Sequence, residues 1–258
     1  MNDPKYETFQ SWANANEILP AATQLATHLA PPVTKSLGEL ATQGENDPNE
    51  LLCYRYLCRG GGLLLVGPTG IGKSSFALQA MILWGIGREF FGIKPVKPLK
   101  SLLIQAENDD GDSVEIRDGV IRGLQLKEEE ARLAMGNVIV AKEDARTGVG
   151  FFMAAVRPLW QISGRIYCGS IRCWRIWARS PTRRRKSAVF YAINLNPLLG
   201  EFKCAAVVVH HTNKPPAGTD KPEWAAGDFA YLGGGSSEWA NWARAVLGIA
   251  ESGFSYRV

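Results

Sequence analysis

Apolar residues gather in short unbroken blocks along this chain, each closed by a polar tip. Residues 63–66 (LLLV), 101–105 (SLLIQ), 137–141 (NVIVA), 205–209 (AAVVV) and 244–249 (RAVLGI) have the length and character of buried strands. Between them, 76–84, 113–124, 127–135, 150–162, 196–203 and 236–242 read as helices, with 150–162 amphipathic. Asp47-Pro48-Asn49-Glu50 has the form of a helix start and predicts a further helix over 51–57, ended by Arg59-Gly60-Gly61-Gly62. Strands alternating with helices predict an α/β fold whose mainly parallel sheet is covered on both faces. Residues 1–45 show little period and four prolines. They are expected to be an arm with one short helix near 21–29, or a subunit-contact tail, ahead of a domain spanning 46–258. A further strand starts at 254–258, so the chain is expected to be a truncated fragment.

The first block runs into Gly67-Pro68-Thr69-Gly70-Ile71-Gly72-Lys73-Ser74-Ser75, and a helix follows. Gly, four residues, then Gly-Lys-Ser between a strand and a helix is the arrangement that wraps a triphosphate. Its glycines permit loop angles that a β-carbon blocks. The amides from about Gly70 to Ser74 then face inward, with the positive end of the helix dipole behind them. Lys73 is expected to reach the β- and γ-phosphates of ATP, and the Ser74 hydroxyl to ligate Mg²⁺. Glu107 stands just past the second block, at the strand edge where open parallel sheets take ligands. It is placed to orient a water attacking the γ-phosphate. The acids after it, with Asp112 as N-cap, are expected to open the helix over 113–124, and Glu107 itself has the same capping alternative.

Composition adds less. No run of about eighteen apolar residues is present, so no membrane span is expected. The first ten residues lack the basic and apolar regions of a secretory signal. Five cysteines, an odd number in a chain of 258, suit reduced thiols in a cytoplasm. Their two C-x4-C spacings are atypical of zinc. The net charge of +4 comes from one region: residues 146–200 hold ten basic side chains and no acidic one. The remainder holds 19 basic and 25 acidic, a net of −6.

In order, LLLVGPTGIGKSSFALQA, SLLIQAEND, AAVVVHHTNKP and GSSEWANWARAVLGI resemble the RecA-like P-loop NTPases. The likeness is to the RepA-type hexameric replicative helicases and related AAA-family ATPases of plasmids and phages, over roughly residues 50–250. It implies ATP hydrolysis with Mg²⁺, a homo-oligomeric ring and movement on single-stranded DNA, in the cytoplasm. It also implies that Glu107 polarises water, that His211 (and less surely His210) senses the γ-phosphate, and that Arg244 reaches a neighbouring subunit's nucleotide. Strand-end hydrogen bonding for the histidines and a plain surface role for Arg244 stay open, while Trp239 and Trp242 read as packing residues. The rival readings are a nucleotide-dependent DNA-binding or regulatory module without helicase activity, and a small-molecule P-loop kinase.

One part departs from that pattern. Between the helix over 150–162 and the 205–209 strand this class needs an apolar strand ending in aspartate, the Walker B strand that holds Mg²⁺ through water. Residues 165–193 offer arginines, tryptophans and cysteines instead, with no strand period. A basic insert gripping DNA phosphates is one reading. Translation out of frame is the other. Codons straddling Ile166-Tyr167-Cys168 can encode only Ile or Leu and then only Leu, and one permitted solution from Ser163 is RPDLLWIDPLLAYLG. The chain as it stands is then expected to bind ATP weakly and to hydrolyse it poorly.

Overall fold

The computed structural model describes residues 34–40, 47–105, 109–143, 145, 151–163, 166–167, 187–212 and 241–249. The chain divides into two units, Met1–Asn46 and Asp47–Val258. In the first, the described stretch carries one 3-10 turn, Leu37–Glu39, closed by the Glu39 carboxylate accepting from the Ser36 amide at 2.6 Å. The expected helix near 21–29 and the expected strand over 254–258 lie outside the described residues.

The second unit opens with a correction. Residues 51–57 form no α-helix: β1 (Glu50–Leu52) and β2 (Leu57–Cys58) pair antiparallel as a hairpin around a 3-10 turn, Cys53–Arg55. Asp47 does cap, but it caps a turn, its Oδ1 accepting from the Asn49 amide at 2.9 Å. Leu51, Leu52, Leu57 and Cys58 are all buried, an outcome of pairing rather than of helical spacing.

The strands beyond it follow the apolar blocks closely, as do the helices except the one expected over 196–203, which begins already at Ser187. β3 (Gly62–Gly67) leads to α1 (Lys73–Gly85), and β4 (Ser101–Gln105) to α2 (Asp110–Gly123). α3 (Glu128–Asn137) precedes β5 (Val138–Lys142). The 150–162 segment is a π-helical turn, Phe152–Val156, continued by α4 (Arg157–Ser163). Next come β6 (Ile166–Tyr167), α5 (Ser187–Phe202), β7 (Ala206–His211) and β8 (Ala245–Gly248). Of the helix expected over 236–242, only 241–242 are described, and they are helical.

All six strands from β3 onward pair in parallel, in two ladders ordered β7-β3-β8 and β5-β4-β6. Alternation sorts their side chains onto two faces. Leu64, Val66, Leu102, Ile104, Ala206 and Val208 share a core with Phe152, Trp160, Leu195 and Leu199. Leu63, Leu103 and Val207 share the opposite core with Leu78, Met81 and Trp84 of α1. Helices therefore cover both faces, and burying each large apolar side chain contributes roughly 1.5–3 kcal/mol.

β6 runs for two residues and pairs only with β4, through Ser101–Ile166 and Leu102–Tyr167. It approaches β7 without joining that ladder. The seam between the two ladders thus falls where the sequence loses its strand period.

Candidate functional site

Because β3 and β7 pair in parallel, their carboxyl ends share one edge, and Gly67 lies directly beside His211 on it. There β3 turns into the phosphate loop. A β-carbon on Gly67 would sit 2.8 Å from the Ile249 carbonyl oxygen, so the chains approach too closely for any other residue. Gly70 (φ 82) and Gly72 (φ 88) occupy the left-handed region. Gly72 is also the N-cap of α1, and it supplies no side-chain oxygen. The first bond of that helix is Phe76 N–H to Gly72 C=O at 2.9 Å, which leaves the Lys73, Ser74 and Ser75 amides without intrahelical acceptors.

The neighbouring helices differ. At α2 the Asp109 carboxylate accepts from the Asp112 amide at 2.8 Å, and Asp112 returns the bond to the Asp109 amide at 3.1 Å. Asp109 is therefore the N-cap, and the expected Asp112 is its partner two residues into the helix. At α3 the Glu130 carboxylate accepts from the Lys127 amide at 3.0 Å. The first turn of α1 holds neither a side-chain cap nor an acid, and so keeps its positive end available to an anion.

Lys73 is buried, and its ammonium donates to the carbonyls of Gly67 (2.9 Å) and Pro68. It also lies 3.1 Å from His211 Nδ1, while Thr69 Oγ1 is 3.3 Å from the same nitrogen. An ammonium only donates, so a hydrogen bond here requires the His211 tautomer that keeps its Nδ1 lone pair. A protonated ring would set two cations 3.1 Å apart. His210, one residue earlier, is buried in the sheet and does not line the cleft. The two histidines thus separate by strand alternation.

Above the loop opens a cleft of about 870 Å³, large enough for a nucleotide. Gly70, Gly72, Lys73, Ser74 and His211 line one end of it. Its other wall is α2, through Asp112, Glu115, Ile116, Gly119 and Val120. That wall escaped the sequence reading. The signal was Gly119 and Gly123 one turn apart, beside Ile116 and Val120. Among the described residues no group of three or more His, Cys, Asp or Glu side chains could hold a metal ion. Ser74, with the phosphates and water, fits Mg²⁺, which seldom takes an all-protein cage.

The remaining expected residues are dispersed. Glu107 lies outside the described residues, between Gln105 and Asp109. Gln105 Nε2 donates to Ser113 Oγ at 2.9 Å, which ties the end of β4 to α2. Arg244 sits at the opposite edge of the sheet from its own chain's cleft. Its amide donates to the Gly62 carbonyl at 2.8 Å, and its exposed guanidinium donates to Cys58 Sγ at 3.4 Å. Trp242 lies on Gly62, where an added β-carbon would meet the indole at 2.2 Å, and its Nε1 donates to Asn196 Oδ1 at 2.8 Å. Trp239 is outside the described residues.

Comparison with known proteins gives three results. A family model described as an AAA domain matches residues 31–162. No curated protein matches the chain. Among solved structures, a KaiC-like protein from the hyperthermophilic archaeon Pyrococcus horikoshii OT3 is similar over 77% of this chain and 76% of its own. The two are 18% identical, with a TM-score of 0.45. No helix among the described residues is long and apolar enough to cross a membrane.

Proposed function

The chain belongs to the AAA-domain family, with residues 31–162 matched, and from that premise we propose that it is a RecA-like P-loop ATPase that binds ATP with Mg²⁺ in the cleft between α1 and α2. The observation that carries this reading is the uncapped start of α1, with a buried ammonium beside it in an open cleft. The amides of Lys73, Ser74 and Ser75 bind phosphate oxygens, and the Lys73 ammonium exchanges loop carbonyls for them. The Ser74 hydroxyl would hold the metal, whose chemistry there would be to offset negative charge on the phosphates. His211, already against that ammonium, feels the exchange and acts as the sensor. The apolar face of α2 around Ile116 and Val120 covers the base.

The finer reading is a ring-forming helicase or translocase of a mobile element. In it Glu107 orients the attacking water, and Arg244 works on a neighbouring subunit's nucleotide. The position of Arg244, away from its own cleft, favours a role in trans over one in cis. In this reading hydrolysis is slow, because residues 146–200 hold no carboxylate to take the metal through water. The same gap favours a second reading, a nucleotide-dependent regulatory module on DNA that does not unwind.

Restoring the alternative frame across residues 163–194 and assaying DNA-stimulated ATP turnover beside strand unwinding separates the two. Both activities together support the helicase. Turnover without unwinding supports the module, and phosphorylation of a small metabolite would replace both with a kinase.

A further inference from the structure

Two tight turns on one flank of the sheet carry aromatic residues that their backbones disfavour. At the tip of the β1–β2 hairpin, Tyr54 (φ 60, ψ 23) and Arg55 (φ 58) are both left-handed. In the loop after α1, Phe90 and Ile93 exchange two backbone bonds of 3.0 Å around Phe91 (φ 49) and Gly92 (φ 75), again a left-handed pair. Such turns ordinarily take Asn-Gly or Gly-Gly, since a β-carbon crowds the following carbonyl. Neither aromatic is buried in return: Tyr54 is 87% exposed and Phe91 78%. Phe91 touches only the edge of the apolar layer, its ring centroid 4.8 Å from Phe90 and 5.3 Å from Phe76.

The backbone holds these two turns together. The Cys53 amide donates to the Lys94 carbonyl at 2.8 Å, and the Val96 amide to the Leu51 carbonyl at 3.0 Å. Leu52 and Pro95 form a bridge between the same segments. The platform is basic. Lys94, Lys97 and Lys100 are exposed, and among the described residues none has a carboxylate partner. Arg55 pairs with Asp47, and Glu89 is the exposed acid of the second loop. Strain without burial, at two adjoining tips, marks residues kept for something outside the fold. Flat rings with flanking cations suit unpaired bases on a phosphate backbone, because every base offers a face to stack on.

We propose that Tyr54 and Phe91 form a stacking platform for single-stranded nucleic acid, with Lys94, Lys97 and Lys100 taking its phosphates. None of these residues lines the cleft, and the proposal rests on the reading of the chain as a DNA-handling ATPase.

The test is fluorescence anisotropy of a labelled oligothymidylate with the full chain, at one fixed salt concentration. Wild type is compared with Tyr54→Asn, Phe91→Asn and the double variant, with melting temperature and sedimentation measured alongside. Asparagine tolerates the left-handed region, so the variants are expected to melt at or above the wild-type temperature. Oligonucleotide affinity is expected to fall roughly tenfold per ring removed, with ATP affinity unchanged. Equal affinity in the double variant would overturn the platform while leaving the DNA-handling reading intact. A fall in melting temperature in both single variants would make the rings structural, and a change in sedimentation with affinity unchanged would make the patch a protein interface. Absence of oligothymidylate binding by the wild type would remove both the platform and the reading on which it rests.

Discussion

Lys73 shows how much a single residue here depends on its surroundings. The loop carbonyls and His211 give its ammonium a place to rest, and the uncapped amides give an arriving phosphate a second set of donors. Gly119 plays the complementary part across the cleft. An added β-carbon there meets nothing within 4 Å, and the residue lies mid-helix, where glycine costs about 1 kcal/mol relative to alanine. Gly119→Ala is therefore expected to raise stability by about that amount in urea unfolding. Gly119→Leu is expected to preserve the fold and, by filling the wall, to weaken nucleotide binding in a fluorescent-nucleotide titration. Unchanged affinity in Gly119→Leu would place the base elsewhere.

At the scale of elements, the N-termini of the helices divide the labour. The Asp109 side chain accepts from the Asp112 amide at the start of α2, and α3 opens on three acids, whereas the first turn of α1 has neither a side-chain cap nor an acid. Replacing Asp109 by alanine is expected to cost about 1 kcal/mol of stability in chemical denaturation. Gly62→Ala is expected to cost more, roughly 1–3 kcal/mol, since its β-carbon would enter the Trp242 ring and loosen β8 from β3.

These elements also show what the sequence made legible. β3, β4 and β7 could be read because each is an apolar run closed by a polar tip, and burial on both faces needs nothing more. β1 could not. Asp47 and Glu50 stand three apart like a helix cap and its partner, and the hairpin turn uses Tyr-Arg in place of the usual glycine signal. Asp109 and Asp112 are nearly interchangeable in sequence, and only reciprocal hydrogen bonds decide between them. The loop end of the cleft was legible because its residues are contiguous. The α2 wall was not, because tertiary packing brings it there.

For the molecule as a whole, the described strands from β3 onward pair in two parallel ladders, and β6 reaches β4 alone. A restored strand at β6 would bridge β4 to β7 and close the sheet. Restoring the alternative frame is accordingly expected to raise the melting temperature along with ATP turnover, and a melting temperature that does not move would count against a missing strand. Stability also has a pH signature. The Asn49 amide, and then Arg55, hold the Asp47 carboxyl below its ordinary value of 3.8. A depressed carboxyl stabilises the fold fully at neutral pH and loses that effect as the pH falls through the acid range. The stability difference between wild type and Asp47→Asn in urea unfolding is thus expected to be widest near neutrality and to close as the pH falls through the lowered carboxyl value.

The central claim is that a triphosphate is held at the start of α1. Calorimetric titration of ATP and Mg²⁺ into the full chain and into Lys73→Ala tests it directly. Measurable binding by the wild type and a loss of roughly tenfold or more in the variant is the predicted result, as expected for removing a charge-assisted contact to phosphate. Equal affinity in the two proteins would contradict it.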